Sequence, residues 1–350
     1  GSADLGSPNV TATGGIVDLY LHTPSKHRGG LLTLSVGSDN AQRFFVRGET
    51  GEIGTTGLRA FASLSQMQAD HFRGVGKDTK QHFALGAVQE WGGGSRTKLA
   101  LTFSKIMRDV YKNPTLAQWN NGGMDGAASN YDATYTAGSL SYYRMLQNPW
   151  KNLLVSAPTD LRVNEKLTLN VTPYLFYGYG GSGSAGTLNE SSVGFGNTVN
   201  AVDLNGNATT TDTGVTYYNP IIEKNLRTGI TAKGTYQLAN HTLVAGVWAQ
   251  RSRDELYRPY GRMNADGTPM DVNGETALIT TSGGAVVNGW NQDTHDRFYS
   301  LFVGDTISLL DDRLSVDLGV KQMWLQREGV NRVPSTVASN EVTSKPVLPT

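Results

Sequence analysis

The chain has 350 residues, with 30 lysines and arginines against 30 aspartates and glutamates, and no cysteine. Zero formal charge gives no reason to expect nucleic acid or an acidic substrate, and without cysteine there are no disulfides, thiolate zinc sites or cysteine nucleophiles. No stretch approaches the ~18 consecutive apolar residues of a membrane-spanning helix, and 42 glycines disfavour a helix-rich enzyme.

Residues 1–29 carry no basic, apolar leader and do not read as a long two-faced strand. From there on the signal is period-2 alternation, the mark of strands with two different faces. Segments 31–37 and 41–50 come first. In 58–65, Leu58, Ala60, Ala62 and Leu64 oppose Arg59, Phe61, Ser63 and Ser65. Segments 80–91, 98–104 and 150–160 follow. In 166–177, Leu167, Leu169, Val171, Pro173 and Leu175 share one face. Segments 219–238, 241–257 and 292–309 precede 313–328, where Leu314, Val316, Leu318 and Val320 alternate with polar residues and glycine. This makes about eleven strands, several much longer than the ~5–6 residues usual in globular proteins.

The connections alternate in length. Short ones fall at 51–57, 92–95, 162–165, 239–240 and 310–312, and long ones at 66–79, 108–149, 178–218, 258–291 and from 329. The link at 38–40 is short where a long one is due. Short turns at one rim and long loops at the other are the habit of transmembrane β-barrels. The polar faces carry Arg43, Arg47, Glu49, Lys98, Asp317 and Lys321, which suits a wet or plugged lumen. Tyrosines and tryptophans near strand ends, among them Trp91, Trp150, Tyr177, Tyr179, Tyr257 and Trp324, suit interface belts.

Residues 10–29 include Gly14, Gly15, Ile16, Val17, Leu19, Leu21, Thr23 and Pro24. This pattern resembles the end of the plug domain of TonB-dependent outer-membrane receptors. The run from Gly30 to Ser38 then resembles the first barrel strand, Arg43–Gly48 the second, and Leu58–Ser65 with Asp70–Gly74 the third strand and its outer loop. The resemblance implies an all-β fold: the end of a plug over residues 1–29, then the N-terminal half of an antiparallel barrel over 30–350. A complete receptor barrel of this kind has ~22 strands, so a fragment is expected. Half a barrel has two unpaired edges. The expected structure is a curved open sheet, and a closed barrel of about twelve strands contradicts it.

The resemblance further implies active uptake of a scarce solute, most often a ferric siderophore, in the outer membrane of a Gram-negative bacterium. The partners would be that solute, outer-membrane lipid and the TonB energy-coupling protein, acting through a segment outside this chain. No enzyme activity and no cofactor are implied. Aromatic and arginine clusters on loops are recognition surfaces. The candidate contacts are Trp119, Tyr131, Tyr135, Tyr142, Tyr143 and Arg144 in the 108–149 loop, with Arg258. The lumen-facing candidates are Arg43, Arg47 and Glu49. Arg251, Arg253, Tyr257, Arg258, Tyr260 and Arg262 form a second, more basic group, suited to ligand or to lipopolysaccharide.

Other chemistry fails on spacing. His22, His27, His71, His82, His241 and His295 lack a zinc-binding spacing. Asp203-Leu-Asn-Gly-Asn207 places its glycine fourth, where an EF-hand loop needs it sixth. The glycine run 178–186 reads as a flexible outer loop, since a dinucleotide site needs a helix after it. Two rivals remain. A passive channel of ~12–14 strands shares the lipid-facing strands. A soluble all-β binding module would instead bury the apolar faces at 167–175 and 314–320 in a core.

Overall fold

The computed structural model describes residue 5 and residues 20–195, 198–333 and 340–349. Of the plug-like positions, Gly14, Gly15, Ile16, Val17 and Leu19 lie outside the described residues. The strands are β1 (Arg28–Val36), β2 (Gln42–Thr50), β3 (Leu58–Asp70), β4 (Lys77–Gly92) and β5 (Ser95–Arg108). The short helix α1 (Leu116–Gly122) precedes β6 (Asn148–Ser156), β7 (Thr159–Arg162) and β8 (Leu167–Ser182). Four short strands follow: β9 (Ala185–Leu188), β10 (Val193–Phe195), β11 (Thr198–Asn200) and β12 (Val215–Tyr218). Then come β13 (Ile221–Leu238), β14 (His241–Pro259), β15 (Asn288–Leu309), β16 (Leu314–Val333), β17 (Asn340–Ser344) and β18 (Val347–Pro349).

One antiparallel sheet of 14 strands runs in the order β1-β2-β3-β4-β5-β6-β8-β13-β14-β15-β16-β17, with β7 beside β5 and β8, and β18 beside β16. Among the described residues β1 pairs only with β2, so the sheet is open as expected. Every segment read as a strand from its alternation lies in this sheet. The 150–160 segment divides into β6 and β7 at Ala157–Pro158, because proline has no N–H for the ladder.

The register assigns each side chain to a face. One ladder row crosses nine strands through Leu32, Val46, Leu64, Phe83, Phe103, Leu153, Tyr177, Leu226 and Arg253. Farther along, Val247 opposes Leu301 and Val303 opposes Val320 on the same face. Up to the closing Arg253 the row is apolar, and much of this face stays in the open: Leu32 is 62%, Leu64 50% and Leu301 52% exposed. A continuous apolar surface of this extent marks contact with a membrane or partner rather than water. On β14 the belt runs between His241 and Arg251. Residues 241–251 rise about 25 Å at ~3.3 Å per residue and a tilt of ~40°, the height of an outer-membrane apolar band. No described helix is long and apolar enough to cross a membrane.

The opposite face holds Arg43, Arg47, Glu49, Lys98, Asp317 and Lys321 by the same register. It also carries aromatic rings seated on glycines. A Cβ at Gly86 would stand 2.2 Å from the Phe61 ring, and one at Gly229 2.4 Å from Tyr174. Gly246 seats Phe302 and Gly178 seats Trp150 in the same way. Part of the glycine excess therefore lies inside strands, where it makes room for a neighbour's ring. Gly178–Ser182, read from sequence as flexible loop, belongs to β8 for this reason.

The connection expected over 66–79 is also shorter. Polar residues on both faces, such as Gln66, Gln68, Lys80 and Gln81, hide the alternation there, yet β3 and β4 pair up to Asp70–Lys77. The link 38–40 stands at the same end, since Asp39 accepts from the Asp70 N–H. The long connections 109–147, 183–220 and 260–287 all leave this end of the sheet, and the turns at 51–57, 93–94, 239–240 and 310–313 leave the other.

Candidate functional site

The long loops are built as a folded unit. Val193, Val202, Leu204 and Tyr217 of the 183–220 loop pack with Ile279 and Val287 of the next into a buried core. Glu190 is fully buried beneath it and accepts from the backbone N–H groups of Leu204 at 2.9 Å and Asp212 at 3.2 Å. A buried carboxylate is tolerated where it replaces water as a backbone acceptor. The strand tops are tied in. Tyr179 donates its hydroxyl to the Asn273 carbonyl at 2.8 Å, and Tyr218 donates to Val272 at 3.0 Å. The 109–147 loop is closed at its base by Asp109, which accepts from the Lys77 N–H and from Gln147 Nε2, both at 2.7 Å.

Two aromatic groups stand on this frame. In the first, the Arg73 guanidinium lies 5.4 Å from the Tyr111 ring and 5.5 Å from the Trp119 ring. Tyr111 stacks on His71 at 3.9 Å, and Lys112 stands 5.5 Å over Tyr131. In the second, Tyr142 is buried and meets Tyr143 edge-on at 5.4 Å and Tyr135 at 5.9 Å. The Tyr135 ring covers Gly267 of the 260–287 loop, where a Cβ would come within 2.2 Å. Arg144 is exposed beside them. Its hydrogen bond to Tyr142 raises its pKa above the ordinary arginine value, and Asp266 adds to this. Burial pushes the Tyr143 phenol up, against the pull of Arg144. The structure thus divides the candidates: Trp119 and Tyr131 in one group, Tyr135, Tyr142, Tyr143 and Arg144 in the other.

Arg258 sits apart from both groups. It donates to the Asn219 carbonyl at 3.4 Å and to Ser184 Oγ at 3.3 Å, joining the top of β14 to the 183–220 loop. Arg73 and Lys112 are the cations that sequence reading missed. Arg73 stands in the Asp70–Gly74 segment, but nothing in its spacing tells that it meets Trp119.

The Asp203 segment is a turn capped by its own side chains. Asp203 accepts from the Gly206 N–H at 2.5 Å and the Ala208 N–H at 3.0 Å. Asp271 does the same for the 260–287 loop, accepting from the N–H groups of Asn273, Glu275 and Thr276. Burial raises its carboxyl, but the backbone donors of Asn273, Thr276 and Glu275 outweigh this and hold it below the ordinary 3.8. A depressed folded-state value means the charged form contributes stability above the ordinary range, lost as the pH falls through the folded value. Amide protection over 260–287, taken relative to the intrinsic exchange rate at each pH, is expected to fall below about pH 4, and Asp271→Asn to lower it at neutral pH and flatten that dependence.

At the turn end the N-terminal segment lies on the polar face. Glu49 accepts from His22 Nε2 at 3.0 Å and from the Ser25 N–H at 2.5 Å, and pairs with Arg47 at 3.0 Å. Arg59 donates to the Pro24 carbonyl at 2.9 Å and pairs with Glu90 at 2.6 Å. Arg43 is exposed on the same face, 5.6 Å from the Phe45 ring.

No protein-family profile and no curated protein matches the chain. Solved structures do. The siderophore receptor PiuA from Acinetobacter baumannii superposes with a TM-score of 0.60 at 12% identity, over 94% of this chain and 47% of the receptor. The fold is that of siderophore receptors. The open form of the ferric-catecholate import receptor Fiu from E. coli K12 gives 0.59 at 13%, over 94% of this chain and 51% of that one. The ferripyoverdine receptor of the outer membrane of Pseudomonas aeruginosa gives 0.60 at 12%, over 94% and 40%. The chain spans about half the length of the receptors it matches. The receptor fold accounts for the 14-stranded sheet, the two-faced strands and the loop unit at one end.

Proposed function

We propose that this chain takes part in TonB-dependent uptake of a scarce solute, a ferric siderophore by preference, across the outer membrane of a Gram-negative bacterium. Residues 1–29 are then the end of the plug and residues 30–350 the N-terminal half of the barrel wall. The apolar face meets outer-membrane lipid. Arg43, Arg47 and Glu49 face the lumen, and Glu49 with Arg59 anchors the plug end to the wall. The TonB energy-coupling protein engages the plug elsewhere. No covalent chemistry is required. The observation that carries this reading is the match of 94% of the chain to a siderophore receptor, a ferric-catecholate import receptor and a ferripyoverdine receptor.

The ligand would meet the loop unit. Trp119 with Arg73, and Arg144 with Tyr135 and Tyr143, offer flat rings and fixed cations, a match for an anionic, planar chelate. Tyr142 and Arg258 position the loops. The test is uptake of ferric catecholate by iron-starved cells. Saturable uptake that stops when TonB is deleted is expected, and linear, TonB-independent uptake sinks the proposal in favour of a passive channel. Trp119→Ala and Arg144→Ala are each expected to weaken half-saturation about tenfold, or ~1.4 kcal/mol.

A further inference from the structure

The basic group at 251–262 is mostly spoken for. Arg253 binds Asp293 through two nitrogens at 3.0 and 2.8 Å, Arg258 holds loop oxygens, and Arg262 stands 3.7 Å from Asp203. Arg251 is different. It lies directly opposite Arg297 in the β14–β15 ladder, on the apolar face, and both side chains are exposed. Among the described residues neither makes a hydrogen bond, an ion pair or a ring contact. Like charges directly opposite one another cost a sheet stability unless something neutralises them.

Their level on the sheet says what that is. One step toward the turns, Tyr299 opposes Trp324, and beyond them come Leu301 and Val303. One step toward the loops, His295 opposes Arg253 and Glu328. The pair therefore marks the boundary where an aromatic girdle gives way to charge, the level of lipid headgroups. A groove of about 400 Å³ opens there, lined by Arg251, His295, Arg297 and Glu328 among others. Glu328 pairs with neither arginine.

We propose that Arg251 and Arg297 jointly bind a phosphate of an outer-leaflet phosphoglycolipid, whose acyl chains lie over Tyr299, Leu301 and Val303. Guanidinium forks match phosphate oxygens in pairs, and two of them opposed across a ladder present both forks to one anion. The proposal rests on the outer-membrane reading of the apolar face.

The test uses the protein extracted from membranes and placed in phosphatidylethanolamine nanodiscs, with bound lipid read by native mass spectrometry. Diphosphorylated lipid A, its dephosphorylated form and inorganic phosphate are the probes. The diphosphorylated lipid is expected to bind at least tenfold more weakly to the Arg251→Gln/Arg297→Gln double variant, with partial recovery in the double lysine variant. Arg313→Gln, at the turn end, should change nothing. Equal binding of both lipids, or an unaffected double variant of unchanged melting temperature, overturns the proposal. Inorganic phosphate binding as tightly as the lipid also overturns it, in favour of a free anion. A protein that stays soluble without detergent and never enters nanodiscs overturns the outer-membrane reading itself, and this is seen before any lipid is added.

Discussion

Leu64→Arg is expected to reduce assembly in the membrane sharply, while Ser65→Arg, one residue along, should leave it nearly intact. Leu64 is 50% exposed and sits in the apolar row between Val46 and Phe83. Ser65 points to the other face, between Phe45 and His82. An arginine on the lipid face near the bilayer midplane costs ~2–4 kcal/mol, whereas one on the lumen side is solvated. Against a folding free energy of ~5–15 kcal/mol the first loss is severe. In water the ranking weakens, because an arginine at a half-exposed surface site changes stability by only ~0.5 kcal/mol either way. Recovery of each variant from outer-membrane fractions, with its melting temperature, separates the cases. Two equally tolerated variants would point to a soluble module.

The second large effect is expected in the loops. Ile279 is fully buried in the core shared by the 183–220 and 260–287 loops. Truncation of such a side chain costs ~2–5 kcal/mol, transfer and cavity together. A satellite core this small has little else to hold it. Ile279→Ala should therefore release the loop unit as a whole. Amide protection should fall across 188–217 and 260–287 together, and ligand binding with it. The strands should keep their protection, since their ladder hydrogen bonds do not pass through Ile279. Loss confined to the residues touching Ile279 would show that the loops fold separately.

How much of this was legible follows from what each element offers to a reader of sequence. Long strands with one apolar and one polar face announce themselves by period 2, as at 167–175 and 314–320. The upper parts of β3 and β4 do not, because Gln66, Gln68, Thr79 and Gln81 put polar side chains on the face that is apolar lower down. The glycines of β8 mislead for a related reason: Gly178 is needed under the Trp150 ring, a neighbour distant in sequence. The loop core was invisible, since Val193, Val202, Leu204, Ile279 and Val287 are scattered over two loops with no common period. The aromatic wealth of the 109–147 loop was plain. Its division was not, because Arg73 and Gly267, which sort Trp119 from Tyr135, come from other loops.

Nitroxide labels at successive positions 299–304 of β15, in the membrane-embedded protein, report which face of the sheet meets lipid. Collision rates with oxygen, which concentrates in lipid, should be high at 299, 301 and 303 and low at 300, 302 and 304. Alternation of that kind places the open sheet in the wall of a barrel with lipid on its apolar side. Uniform accessibility to a water-soluble relaxation agent at all six positions would contradict it.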